Sequence, residues 1–151
     1  MRQTVLALVA LLFWGLPCPA QQRAPKSLYQ RLGGYDAIAG VVDDVLPRVL
    51  GDAELAPFFK GHSNDSNART RQLIVDLLCQ KTGGPCLYIG RSLKTAHEGL
   101  GLTDAHWNAL VNHLKASLDK FKVPSKEQAE LLAIISSTKP DIVAPPVPGK
   151  K

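Results

Sequence analysis

The chain has 151 residues, 45% apolar and 6% aromatic, with 18 Lys plus Arg against 13 Asp plus Glu and a formal charge of +5. That length fits one domain, and a 21% charged fraction without a collagen-like or heptad repeat excludes fibrous, coiled-coil and polytopic membrane classes. Three cysteines are too few for a disulfide scaffold, so a hydrophobic core must supply the stability.

Residues 5–16 form an apolar run behind Arg2 and ahead of Pro17-Cys18-Pro19-Ala20. The run is shorter than the roughly 20 residues that span a bilayer, and Cys18-x-Ala20 offers small residues where a signal peptidase cuts. Residues 1–20 are therefore expected to be a signal peptide cleaved after Ala20, giving an exported protein, periplasmic or secreted. An uncleaved anchor is the alternative, and lipidation at Cys18 is disfavoured by Pro17. Cleavage leaves 151 − 20 = 131 residues, lowers the charge from +5 to +4 with the loss of Arg2, and leaves Cys79 and Cys86 as an even pair in an oxidising setting. No stable membrane insertion is expected after cleavage. The basic residues are spread along the chain without aromatic interleaving, which argues against nucleic-acid binding.

Residues 21–26 read as a flexible lead-in and 144–151 as a disordered proline-rich tail, leaving 27–143 for the fold. Between them apolar residues recur at helical rather than strand spacing, so the fold class is all-α. A short helix near Ser27 to Leu32 precedes Gly33-Gly34. Ile38, Val41, Val42, Val45, Leu46, Val49 and Leu50 then predict a helix over about 36–50, with Pro47 expected to kink it or end it near Asp43 to Leu46. After the aromatic turn Leu55 to Phe59 and a polar stretch from Lys60 to Asn67, whose Ser and Asp residues suit helix N-caps, Leu73, Ile74, Leu77 and Leu78 predict a helix that stops before Gly83-Gly84-Pro85. A shorter segment covers Ser92 to Leu100. Thr103 caps a helix striped with Trp107, Leu110, Val111, Leu114, Leu118 and Phe121, and Ser125 to Gln128 has capping-box spacing for a last helix ending near Lys139.

The motif inventory excludes several chemistries. Neither a dinucleotide-type nor a P-loop glycine pattern is present, and no Cys-x-x-Cys-His motif occurs. His106 and His113 can share a helix face, but carboxylates for a metal pair are sparse nearby, so both are expected to be exposed, as is His62 in its polar loop. His97 differs: it lies in a short, glycine-bounded helix whose inward residues are apolar, and a buried imidazole there needs a partner.

Four segments now combine: Leu28-Tyr29-Gln30-Arg31-Leu32-Gly33-Gly34; the pair Phe58-Phe59; Gly83-Gly84-Pro85 with Tyr88-Ile89-Gly90; and Leu93-Lys94-Thr95-Ala96-His97-Glu98-Gly99-Leu100. In this order, from about Ser27 to Ile142, the chain resembles group I truncated haemoglobins. The resemblance implies a two-over-two helical sandwich around one non-covalent haem b, with His97 as the proximal iron ligand. It also implies a function, reversible binding or carriage of oxygen or another diatomic gas. A neutral imidazole gives one nitrogen to iron and needs an acceptor for the other, which a carbonyl near Leu93 or Lys94 can supply. Phe59 matches the aromatic packed on the porphyrin, with Phe58 beside it. Lys94 matches a basic residue near the haem edge, Tyr88 the loop or the propionate side, and Leu93, Leu100, Leu102 and Trp107 the haem wall.

On the ligand side the chain departs from the better-known pattern. Counting from Gly33-Gly34 puts Leu46 where many members have tyrosine, and counting back from Gly83-Gly84 turns Thr70 and Ile74 toward the ligand. A gap after Phe59 would instead bring Gln72 inward. The resulting pocket is largely apolar, which favours fast oxygen release and autoxidation. Haem-based redox chemistry on nitric oxide or peroxide, with an external electron donor, is the alternative activity, and a haem-free helical binding module is a third reading. His62 is the least implausible second internal ligand. Cys79 and Cys86 are read equally as a disulfide and as two thiols.

Overall fold

Seven α-helices and one 3-10 turn make up the described part of the chain, residues 24–143, in a computed structural model. The expected signal peptide, residues 21–23 of the lead-in and the tail 144–151 lie outside the described residues. Among the described residues there is no strand, and no helix is long and apolar enough to cross a membrane.

α1 (Leu28–Arg31) starts on a reciprocal cap: Ser27 Oγ accepts from the Gln30 N–H, and Gln30 Oε1 accepts from the Ser27 N–H. Gly33 and Gly34 follow, both with positive φ, and turn the chain into α2 (Tyr35–Gly51). α2 runs through Pro47 instead of ending near Asp43 to Leu46. Pro47 and Asp43 are both exposed, so the Asp43 carbonyl that loses its helical partner lies on a solvated side.

A 3-10 turn over Ala56–Phe59 leads to α3 (Asn64–Lys81). The polar connector is itself helical, because Ser63 caps it by accepting from the Ser66 N–H at 3.2 Å. α4 (Leu93–His97) is shorter than the Ser92 to Leu100 segment predicted, since Glu98 leaves helical geometry and Gly99 takes φ +79°. α5 (Asp104–Lys120) starts at Thr103 as expected, but Phe121 lies past its end and is half exposed. α6 (Ser125–Ser136) does not use the predicted capping box. Pro124 occupies the cap position, and the Gln128 amide instead donates to Asp119 Oδ1 and the Val123 carbonyl, both at 2.9 Å. α7 (Lys139–Ile142) is a separate turn, where one helix ending near Lys139 was expected.

α2 and α3 form one layer, α5 and α6 the other; α2 packs on α5, α1 on α6, and α4 on α7. The core joins Ile38 and Val42 of α2, Val75, Leu78 and Cys79 of α3, Leu114 and Leu118 of α5, and Leu131 of α6. Each such aliphatic side chain contributes about 1.5–3 kcal/mol by leaving water. Between the layers Asp44 accepts from Ser117 Oγ at 2.7 Å and pairs with Arg48 and Lys120. A cavity of about 170 Å³ opens where Leu32, Ala37 and Val41 meet Leu118, Phe121 and Val123. None of its lining residues belongs to the His97 region.

Candidate functional site

α4 exists because Ser92 caps it, accepting from the Thr95 N–H at 3.1 Å. His97 occupies its last turn, and its Nδ1 lies 2.7 Å from the Leu93 carbonyl oxygen one turn back. A carbonyl can only accept, so Nδ1 carries the proton and Nε2 carries a lone pair. Nε2 has no hydrogen-bond partner among the described residues.

No residue of α4 is buried, and neither Phe58 nor Phe59 belongs to the core cluster. Leu93 and Leu102 are half-buried and Leu100 is 42% exposed. Trp107 differs, being only 6% exposed and thus already covered by protein. Lys94 is exposed beside His97. Tyr88 donates from its hydroxyl to the Arg91 carbonyl at 2.7 Å and so ties together the loop ahead of α4.

On α3, Thr70 and Ile74 are half-buried, and the Thr70 hydroxyl donates to its own helix at the Ser66 carbonyl, 2.9 Å away. Leu46 on α2 is half-buried as well. Gln72 is exposed, and its amide donates to Tyr35 Oη at 2.6 Å and to Asp76 Oδ1 at 3.0 Å, which holds it away from an inward register. Asn67 has a buried side-chain oxygen, Oδ1, with no hydrogen-bond partner. Asn67 stands one turn before Thr70 and two before Ile74, on one helical stripe. Asn67 is not among the site residues expected from the sequence; Ser63 as the cap puts it on the helix in register with Thr70.

The other histidines are not all free. His106 and His113, expected to be exposed, are half-buried and partnered. The Thr103 N–H donates to His106 Nδ1 at 3.1 Å, which completes the cap of α5, and the His106 ring stacks edge-on against Phe58 with centroids 4.9 Å apart. His113 Nε2 donates to Asp52 Oδ2 at 2.7 Å. That contact, followed by the Glu54 N–H, holds the Asp52 carboxyl below the usual carboxylate range. His62 is exposed as expected, with its ring 5.6 Å from that of Phe59. Among the described residues no three His, Cys, Asp or Glu side chains gather into a metal site.

Cys79 and Cys86 form a disulfide, with Cα atoms 5.7 Å apart, and this settles the open choice between bridge and thiols. The turn between them needs Gly84: a Cβ there would lie 2.6 Å from Cys79 Sγ and 2.6 Å from the Tyr29 ring.

A haem fits these residues. An imidazole with an unengaged nitrogen and apolar side chains left out of the core provide one axial donor and an apolar wall. The helical sandwich and this histidine together define a truncated globin.

Comparison with known proteins agrees. The model of the bacterial-like globin family matches residues 27–144. The group 1 truncated haemoglobin GlbN of Mycolicibacterium paratuberculosis is 36% identical over 118 residues, covering 78% of this chain and 85% of its own. That of Tetrahymena pyriformis is 31% identical, covering 79% and 96%. The solved Fe(III) structure of the truncated haemoglobin from Tetrahymena pyriformis superposes with a TM-score of 0.73 at 28% identity, covering 80% of this chain and all of that one. The 2/2 haemoglobin of a Synechococcus strain, in the cyanomet state with covalently attached haem, gives 0.71 at 29% identity, covering 78% and 98%. The chain belongs to the bacterial-like globin family and, within it, to the group 1 truncated haemoglobins.

Proposed function

We propose that the chain binds one haem b through His97 and holds oxygen or another diatomic gas reversibly at the iron. The observation that carries this reading is the hydrogen bond from His97 Nδ1 to the Leu93 carbonyl, which leaves Nε2 as a neutral donor with no other task. When bound, haem iron supplies an open coordination position for a diatomic ligand. The Leu93 carbonyl fixes the imidazole tautomer and strengthens Nε2 as a donor. Phe58, Phe59, Leu93, Leu100 and Leu102 keep water from the porphyrin faces, with Trp107 behind them, and Lys94 pairs with a propionate. Tyr88 keeps the intervening loop in place.

On the ligand side Leu46 and Ile74 supply apolar surface. Thr70 has its hydroxyl hydrogen committed to Ser66, so the donor left for the ligand is the Asn67 amide nitrogen, since Oδ1 can only accept. Such a pocket releases oxygen quickly and protects poorly against oxidation, so the reading includes an external electron donor. Residues 1–20 direct export, and the working protein is periplasmic or secreted. Oxygen titration of the reduced, haem-loaded protein tests the function: a spectral change that reverses on degassing is expected. Failure to retain haem, or a spectrum indifferent to oxygen, overturns it.

A further inference from the structure

The loop between α3 and α4 carries a feature that gas binding does not use. Leu87 is 71% exposed and Ile89 is 72% exposed, while Tyr88 between them is half-buried. Residues 86–89 have no helical or turn structure. The two aliphatic tips are held there from both ends. Cys86 is bridged to Cys79, which is fully buried, and the Tyr88 hydroxyl donates to the Arg91 carbonyl. Solvating two large aliphatic side chains on a braced loop has no folding benefit.

Between Asp76 and Glu98 the charged side chains along the chain are all basic. Residues 77–97 contain Lys81, Arg91 and Lys94, all exposed, and no Asp or Glu. Lys26 joins them, because Ser27 packs on Gly83, where a Cβ would lie 3.1 Å from Ser27 Cβ. The same contact means that the described chain enters the fold beside this loop.

The geometry points to an anionic lipid surface as the partner of this loop, with Leu87 and Ile89 entering the headgroup boundary and Lys26, Lys81 and Arg91 set against the lipid phosphates. Two aliphatic side chains are too few for a stable protein interface, which covers about 800 Å² on each partner. They are enough for shallow adsorption when basic groups add about fivefold each in partition. Docking here is peripheral and separate from any role of residues 1–20.

The test is sedimentation of the haem-loaded full chain with sucrose-filled vesicles of phosphatidylcholine, with and without phosphatidylglycerol, scored by protein stain. Binding to the anionic vesicles alone is expected. Leu87→Ser with Ile89→Ser should lower the partition about tenfold or more, and Lys81→Gln with Arg91→Gln by a similar factor, all with unchanged Soret band and helical content. Absence of binding to anionic vesicles overturns the proposal. So does equal binding by the Leu87 and Ile89 double variant, the outcome if residues 1–23 do the binding. Haem loss in that variant would assign the loop to the haem site instead. Self-association without vesicles that the same variant abolishes would assign the loop to a second copy of the chain.

Discussion

His97 donates from Nδ1 to the Leu93 carbonyl, whereas His106 accepts at Nδ1 from the Thr103 N–H. The two imidazoles therefore carry their protons on opposite nitrogens. Nitrogen-15 correlation spectra of the haem-free protein at neutral to mildly alkaline pH should show Nε2 of His97 and Nδ1 of His106 as the unprotonated nitrogens. The same tautomer at both sites would contradict the assigned geometry.

Cys79 to Cys86 closes a short loop at the end of α3, with a sequence separation of 7. Constraining that loop in the unfolded chain contributes about 2–3 kcal/mol. Cys79→Ser with Cys86→Ser should lower the urea unfolding free energy by that amount. An unchanged midpoint would mean that the bridge adds nothing to the fold.

Asp52 joins α2 to α5 through His113 and also accepts from the Glu54 and Leu55 N–H groups. Its folded pKa is lowered, so between that depressed value and the ordinary carboxylate range the unfolded chain binds more protons. Its stabilising effect is present above that range and fades as pH falls through the depressed folded value. Asp44 works in the same direction, chiefly through Lys120. Asp52→Asn should lower stability near neutral pH and flatten the acid limb of the unfolding profile. Parallel profiles for variant and wild type would remove Asp52 from this role.

Much of this architecture was legible because its signals are local. Gly33-Gly34, Thr103 and the stop at Gly83-Gly84 each act through the conformation of one or two residues, and the Leu114–Leu118 stripe follows from helical spacing. Errors arose where a local rule met its surroundings. Pro47 breaks a helix in general, yet α2 continues because the freed carbonyl is on an exposed side. Gln128 has capping-box spacing from Ser125 but is drawn to Asp119 and Val123. His113 pairs with Asp52, a residue 61 positions away, and no pattern along the chain announces such a contact. For the site, the His97–Leu93 bond was readable because it spans a single turn. Asn67 was not, since a buried oxygen without a partner leaves no pattern along the chain.

The ligand side offers a direct test of pocket polarity. Leu46 is half-buried on α2, and Leu46→Tyr introduces a hydroxyl. A hydrogen bond of about 1 kcal/mol or more to bound ligand corresponds to at least about fivefold slower oxygen dissociation. Stopped-flow replacement of oxygen by carbon monoxide measures that rate. No slowing would mean that residue 46 is turned away from the ligand.

The central claim is that His97 Nε2 is the axial donor. The decisive measurement is the ferrous carbon monoxide spectrum of His97→Gly, with and without added imidazole, beside that of the wild type. The account expects His97→Gly to lose its Soret band or retain haem weakly, and imidazole to restore the wild-type spectrum. A variant whose spectrum and haem retention match the wild type without imidazole would contradict it.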